Sequence, residues 1–251
     1  MKACVVLSPS ASKRLIAKGV AALPVVRRAL ASGTIVVTLG TTTAHVAEEL
    51  LGRPIDRATF AAGFVDDRWN VNARVSQARE VVLRRGVPLE ISPKELADSL
   101  GAGDVVIKGG NALDPWGIVG VLLASSSGGT VGRYLSLALA RGVDVIIPIG
   151  LEKAIHGSVV DIAQELGSQR VDLAMGLRCG MQPLVGHVVT EVEALSTLFG
   201  VEATQIAAGG VGAGRGSVSL LIQGDAGAVQ NAFDLITSLP VEPETELDGS
   251  A

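Results

Sequence analysis

Four short runs of apolar, largely β-branched residues, each running into small or polar residues, constrain this chain more than any other feature. They are TIVVTL (34–39), GDVVIKGG (103–110), GIVGVLLASSSGGT (117–130) and VDVIIPIG (143–150). Their apolar stretches are too short for core helices and are apolar on consecutive residues, so both faces of each strand must be covered. Helical patterns lie between them. Residues 10–32 read as helix, broken at Leu23 where Pro24 can open a second segment, and a further helix follows Thr43 to about Leu51, stopped by Gly52 and Pro54. SPKELADSL (92–100) has a Ser-Pro helix start, and 131–141 is helical again. Such alternation predicts an α/β fold: a mostly parallel Rossmann-like sheet with helices on both faces, over residues 1–155.

Three smaller readings complete this half. DRATFAAGFV (56–65) is expected as a strand, and VVLRRG (81–86) as a short strand or helix end. DDRWNVNAR (66–74) is expected as a polar loop that presents Trp69, Asn70 and Asn72 as a lid or subunit contact.

From about residue 183 the pattern changes. GHVVTEVEALSTLFG (186–200), VEATQIAAGGV (201–211), GRGSVSLLIQGD (214–225) and AGAVQNAFDLITSL (226–239) read strand–helix, strand, strand, helix, with GGVGAG (209–214) as a hairpin tip. That order suits a small ferredoxin-like α+β domain over 183–239. The acidic, apolar-poor tail PVEPETELDGSA (240–251) is expected to be disordered.

Composition narrows the function classes. Apolar residues make up 48% of the 251 and aromatics 3%, so a large core must be built from Val, Ala, Leu and Ile. The net charge is −4 with both signs interspersed and no basic stripe, which argues against nucleic acid as a partner. Cys4 and Cys179 lack metal-ligand spacing and read as two buried, reduced thiols, and neither a metal nor a cofactor is expected. No apolar run reaches membrane-span length, and the first ten residues are too weakly apolar for a secretory signal, so a cytoplasmic protein without membrane contact is expected. The high apolar content also suggests a homo-oligomer.

Chemistry concentrates at the strand ends, where ligands of open α/β sheets bind. LGTTTA (39–44) places Gly40, Thr41, Thr42 and Thr43 where a strand hands over to a helix, and three threonines exceed what a cap needs. Hydroxyls and free N–H groups at a helix N-terminus suit a phosphate or carboxylate. IKGGNALD (107–114) supplies Lys108 as a cation, Gly109 and Gly110 for close backbone approach, and Asn111 as donor and acceptor. SSSGGTVGR (125–133) is a third such turn, with Ser127, Gly128, Gly129 and Thr130 opening a helix that carries Arg133. Three turns of this kind point to one pocket for a small anionic metabolite. None is a Walker motif, and GGVGAGRG (209–216) lies in a hairpin, where a GxGxxG pattern binds no dinucleotide.

Two of these motifs give the chain a resemblance to the ribose-5-phosphate isomerase A family, which shares its sheet with coenzyme A transferases and glucosamine-6-phosphate deaminases. LGTTTA resembles the family's phosphate loop LGTGST, and IKGG (107–110) its KGGG after a strand. Asp98, within ELAD (95–98), stands where the family has the second aspartate of DGAD, and Glu95 where it has the first. The resemblance implies a sugar-phosphate isomerase-like activity, with the threonines holding phosphate, Lys108 stabilising an enediolate, and Asp98 or Asp114 as acid/base. Gly117 stands where the family has its glutamate base, Asn111 at the third glycine of KGGG, and Thr42 at the second glycine of the phosphate loop. Asp114 is the nearby carboxylate that could replace the base. Acyl or coenzyme A chemistry on the same sheet would call on Glu152 as nucleophile. Two other readings stand beside these: a metabolite sensor that kept the pocket and lost the base, and an assembly component that oligomerises through residues 183–251.

Overall fold

In a computed structural model that describes residues 1–77, 79–242, 246–247 and 249–250, short apolar runs form strands and capped periodic segments form helices. The chain opens with β1 (Lys2–Leu7), α1 (Pro9–Ala22), α2 (Pro24–Ser32), β2 (Thr34–Val37) and α3 (Thr41–Leu51). There follow β3 (Gly63–Val65), β4 (Trp69–Asn72), β5 (Val81–Arg84), β6 (Val87–Pro88), α4 (Pro93–Ser99), β7 (Val105–Ile107), β8 (Ala112–Leu113) and β9 (Val119–Leu123). Then come α5 (Gly129–Arg141), β10 (Asp144–Pro148), α6 (Val159–Glu165), β11 (Gly180–Leu184), β12 (His187–Val189) and α7 (Glu191–Phe199). The chain closes with β13 (Glu202–Gly209), β14 (Ser217–Gln223), α8 (Ala226–Ser238) and β15 (Gly249–Ser250). Local chemistry explains the helix starts. Pro24 opens α2 directly after Leu23, and reciprocal capping boxes join Ser92 to Glu95 and Thr190 to Glu193.

The fold is α/β with mixed sheets. The largest sheet has the order β12-β10-β7-β2-β5-β6, in which the first four strands are parallel and β5 and β6 form an antiparallel edge. Alternate residues serve two cores. Ile35, Val37, Val105, Ile107, Ile146 and Val189 belong to one, with α1, α2, α3 and β14. Val36, Val106, Val145 and Ile147 belong to the other, with Leu96 of α4 and Tyr134, Leu135 and Ala138 of α5. Burial on both faces is why these strands read as continuous apolar runs.

Several expectations change, among them the burial of both thiols: Cys179 is buried, but Cys4 is exposed on β1. The run at 117–130 is not a strand of the parallel sheet: β9 pairs antiparallel with β8 and β11 in a separate three-stranded sheet. The turn after Asp114, with Gly117 at φ 82°, folds the chain straight back on itself. Only Gly63–Val65 of 56–65 is extended, and the expected polar loop at 66–74 instead contains β4, with Asn70 and Asn72 buried. Asn72 Nδ2 donates to the carbonyls of Ala58 and Ala61, so its polarity serves the backbone.

The segment 183–239 does not form a self-contained unit. β12 joins the large sheet beside β10, and the antiparallel sheet of β13 and β14 is completed by β1 from the start of the chain. The two parts share one apolar core, and α1 and α7 pack so closely that a Cβ on Gly19 would lie 2.5 Å from the Cβ of Ala194. In the tail, residues 243–245, 248 and 251 lie outside the described residues. Where it is described it is engaged: Glu242 bridges Arg14 at 2.6 Å and Arg57 at 2.8 Å, and β15 pairs with β4. No helix among the described residues is long and apolar enough to cross a membrane.

Candidate functional site

Parallel register builds the site. Val37 of β2 pairs with Ile107 of β7, and Ile107 with Ile146 of β10, so the chain leaves all three strands at one edge. Thr38 Oγ1 donates to the Ile107 carbonyl at 3.0 Å and fixes the two exits side by side. LGTTT (39–43) and KGGN (108–111) are thereby brought together, and the turn before α5 closes against them around a cavity of about 660 Å³.

Gly40, Thr41, Thr42, Thr43, Lys108, Gly109, Gly110, Asn111, Gly128, Gly129 and Thr130 all line this cavity. Ser127 does not; Ser125 lines it instead, accepting from the Ser127 N–H at 3.3 Å. The threonines lie inside the first turn of α3 rather than before it, because Gly40 is the N-cap. Gly40 and Gly128 carry no side chain that could cap α3 or α5, so two helix N-termini border one space with their positive ends available to a ligand. Thr43 Oγ1 donates back to the Gly40 carbonyl at 3.1 Å, whereas Thr42 Oγ1 is buried without a hydrogen-bond partner among the described residues.

Lys108 continues the ladder of β7, its N–H donating to the Ile146 carbonyl at 2.9 Å, and its Nζ donates to the Gly109 carbonyl at 3.0 Å. Burial, with nearby Lys153 second, lowers its pKa from 10.5 to about 8. Lys153 Nζ donates to the next carbonyl, that of Gly110, at 3.2 Å. Of the two glycines only Gly110 is sterically demanded. A Cβ there would lie 2.1 Å from Val119 Cγ1, while at Gly109 the nearest atom is 3.6 Å away. Asn111 contributes mainly structure, since its Oδ1 accepts from the Leu122 N–H at 3.0 Å.

Lys153, Arg79, Glu80 and the hairpin of β3 and β4, with Phe64 and Trp69, also line the cavity and were not singled out as ligand residues by sequence reasoning. Arg79 and Glu80 precede β5 with no motif to mark them; Arg133 donates to Glu80 at 2.7 Å. Glu80 is the one carboxylate among the described lining residues, against four basic side chains, Arg79, Lys108, Arg133 and Lys153.

The two aspartates expected as acid/base lie elsewhere. Asp98 is exposed on α4 and pairs with Lys94 at 3.1 Å. Asp114 is buried but committed to backbone: it accepts from the N–H groups of Trp116 at 3.0 Å, Ile118 at 2.8 Å and Val159 at 3.1 Å. Gly117 is exposed at the tip of that turn, away from the cavity wall. His45 is a buried residue of α3, where burial and then Arg57, Arg14 and Lys13 hold its pKa near 3, so it is neutral. Arg57 donates to its Nε2 at 3.3 Å. Glu152, the nucleophile that acyl chemistry would need, is also off the cavity wall. It neighbours buried Glu191, which accepts from Ser12 Oγ and from the Leu151 N–H at 3.0 Å. Burial, opposed by the Ser12 hydrogen bond and reinforced by Glu152, raises the Glu191 pKa to about 7.

No family model, curated protein or solved structure matches the chain.

Proposed function

We propose that this chain binds a phosphorylated small metabolite in the cavity between α3, α5 and the end of β7. A single observation carries the reading: among the described residues, two helix N-termini without side-chain caps and four basic side chains share one cavity with one carboxylate. A phosphate ester would sit at the threonine turn, where the first-turn N–H groups of α3 and the buried Thr42 hydroxyl, without a partner among the described residues, would be its donors. The apolar wall of Phe64 and Trp69 suits the carbon body of such a metabolite.

We further read the fold as a Rossmann-like sheet with a ferredoxin-like accessory sheet, in a divergent relative of the ribose-5-phosphate isomerase A family. Lys108 is then the charge-stabilising group of a sugar-phosphate isomerase-like reaction, and the carboxylate nearest to hand for a proton transfer is Glu80, which would first have to leave its pair with Arg133. A thermal-shift screen of phosphorylated sugars, coenzyme A esters and nucleotides, with inorganic phosphate as control, tests the binding. Ligand at 100 times its Kd adds about 2.7 kcal/mol. Incubating each hit in deuterium oxide tests the chemistry, because an enediol intermediate exchanges the α-hydrogen for deuterium. Binding without exchange supports the second reading, a non-catalytic metabolite sensor, which Gly117 favours by standing where the resemblance places the glutamate base.

A further inference from the structure

We propose that Lys108 is an imine-forming amine and that the cavity's ligand is a phosphorylated aldehyde or ketone, held through its carbonyl carbon. The inference rests on the anionic-ligand reading above and adds a covalent function to it. Lys108 is almost fully enclosed by protein and is among the residues that line the cavity a ligand would fill. No carboxylate pairs with it among the described residues; its Nζ donates to a backbone carbonyl. Lys153 Nζ reaches the adjacent carbonyl, which sets a second cation beside the first. Among the described residues the other charged groups on the cavity wall are Arg79, Arg133 and Glu80, the last occupied by Arg133.

These features separate a nucleophile from a purely electrostatic lysine. A lysine paired with a carboxylate stays an ammonium and cannot attack. One enclosed beside another cation gives up its proton more readily, here near pH 8. The neutral Nζ attacks the carbonyl carbon, and one N–H proton moves to the former carbonyl oxygen to give a carbinolamine. The second N–H proton leaves with that hydroxyl as water, and the C=N bond forms. Nothing is oxidised or reduced. The phosphate would be held at the helix N-termini while the carbonyl reaches Lys108.

The test is reductive trapping on the full chain. The protein is incubated with glyceraldehyde 3-phosphate and sodium cyanoborohydride, then mapped by peptide mass. The reduced phospho-adduct is expected on Lys108 at least tenfold above exposed Lys2 and Lys94. It should be suppressed by inorganic phosphate and weak with glyceraldehyde lacking the phosphate. Its yield should rise with pH through a midpoint near 8, and Lys153→Met should move that midpoint upward. Lys108→Arg should lose the adduct, while inorganic phosphate binding by the unaltered chain, measured separately by thermal shift, reports the anion site on its own. If phosphate binds but the adduct is spread over the surface lysines or sits on Lys153, the imine is refuted and the anion site stands. If phosphate neither binds nor blocks labelling, both readings fall.

Discussion

Replacing Lys108 with methionine should make the protein more stable at neutral pH. The substitution keeps the unbranched stem and removes a charge that the fold encloses at 9% exposure. The fall in pKa from 10.5 to about 8 measures how much burial opposes the charged amine. At about 1.4 kcal/mol per pH unit, that is about 3 kcal/mol in favour of the variant at pH 7. For a chain of this size it corresponds to roughly 6–12 °C in Tm. The sign is fixed by linkage. Between about pH 8 and 10.5 the unfolded chain binds more protons than the folded one, so wild-type stability rises with pH through that window. The variant's advantage should therefore be complete below pH 8 and gone above 10.5. Denaturant unfolding of both proteins at pH 7 and at pH 10.5 measures it. A variant no more stable than wild type at pH 7, or one whose advantage is the same at both pH values, would refute the claim that the amine sits desolvated against its own charge.

Other substitutions separate ligand contacts from structure. Gly110→Ala drives a methyl group into Val119 and should cost about 1–3 kcal/mol in denaturant unfolding, while Gly109→Ala costs less. Asp114→Asn breaks at least one of three backbone hydrogen bonds and should lose about 1–3 kcal/mol with phosphate binding retained, whereas Asp98→Ala should change stability by less than about 0.5 kcal/mol. Glu191 has its pKa raised from 4.5 to about 7, so the folded chain holds the extra proton and stability falls as pH rises between those values. Glu191→Gln should flatten that slope, which urea midpoints at pH 4.5, 6 and 7.5 would reveal.

The sequence exposed the parallel strands and the turns that line the cavity for one physical reason: consecutive apolar residues demand burial on both faces, and a strand that then meets Gly, Thr or Lys must have reached an edge. It exposed much less of the antiparallel parts. β9 carries the same apolar signature as β2 and β7, and only the turn geometry at Asp114 and Gly117 sends it into another sheet. β1 is six residues long, with no turn pattern to mark its partner, and it pairs with β14, more than 200 residues away. Asp98 and Asp114 were chosen by spacing along the chain, whereas their side chains answer to local needs, a surface pair with Lys94 and a buried turn. Arg79, Glu80 and Lys153 escaped because cavity walls are assembled in three dimensions from residues that share no motif.

Calorimetric titration of inorganic phosphate into the full chain tests the central claim most directly, with Thr42→Val and Lys108→Met titrated alongside. The expected result is one saturable site whose affinity falls with added salt and drops in both variants. Absence of a saturable site, or an affinity that both substitutions leave unchanged, would contradict the assignment of this cavity as the anion site.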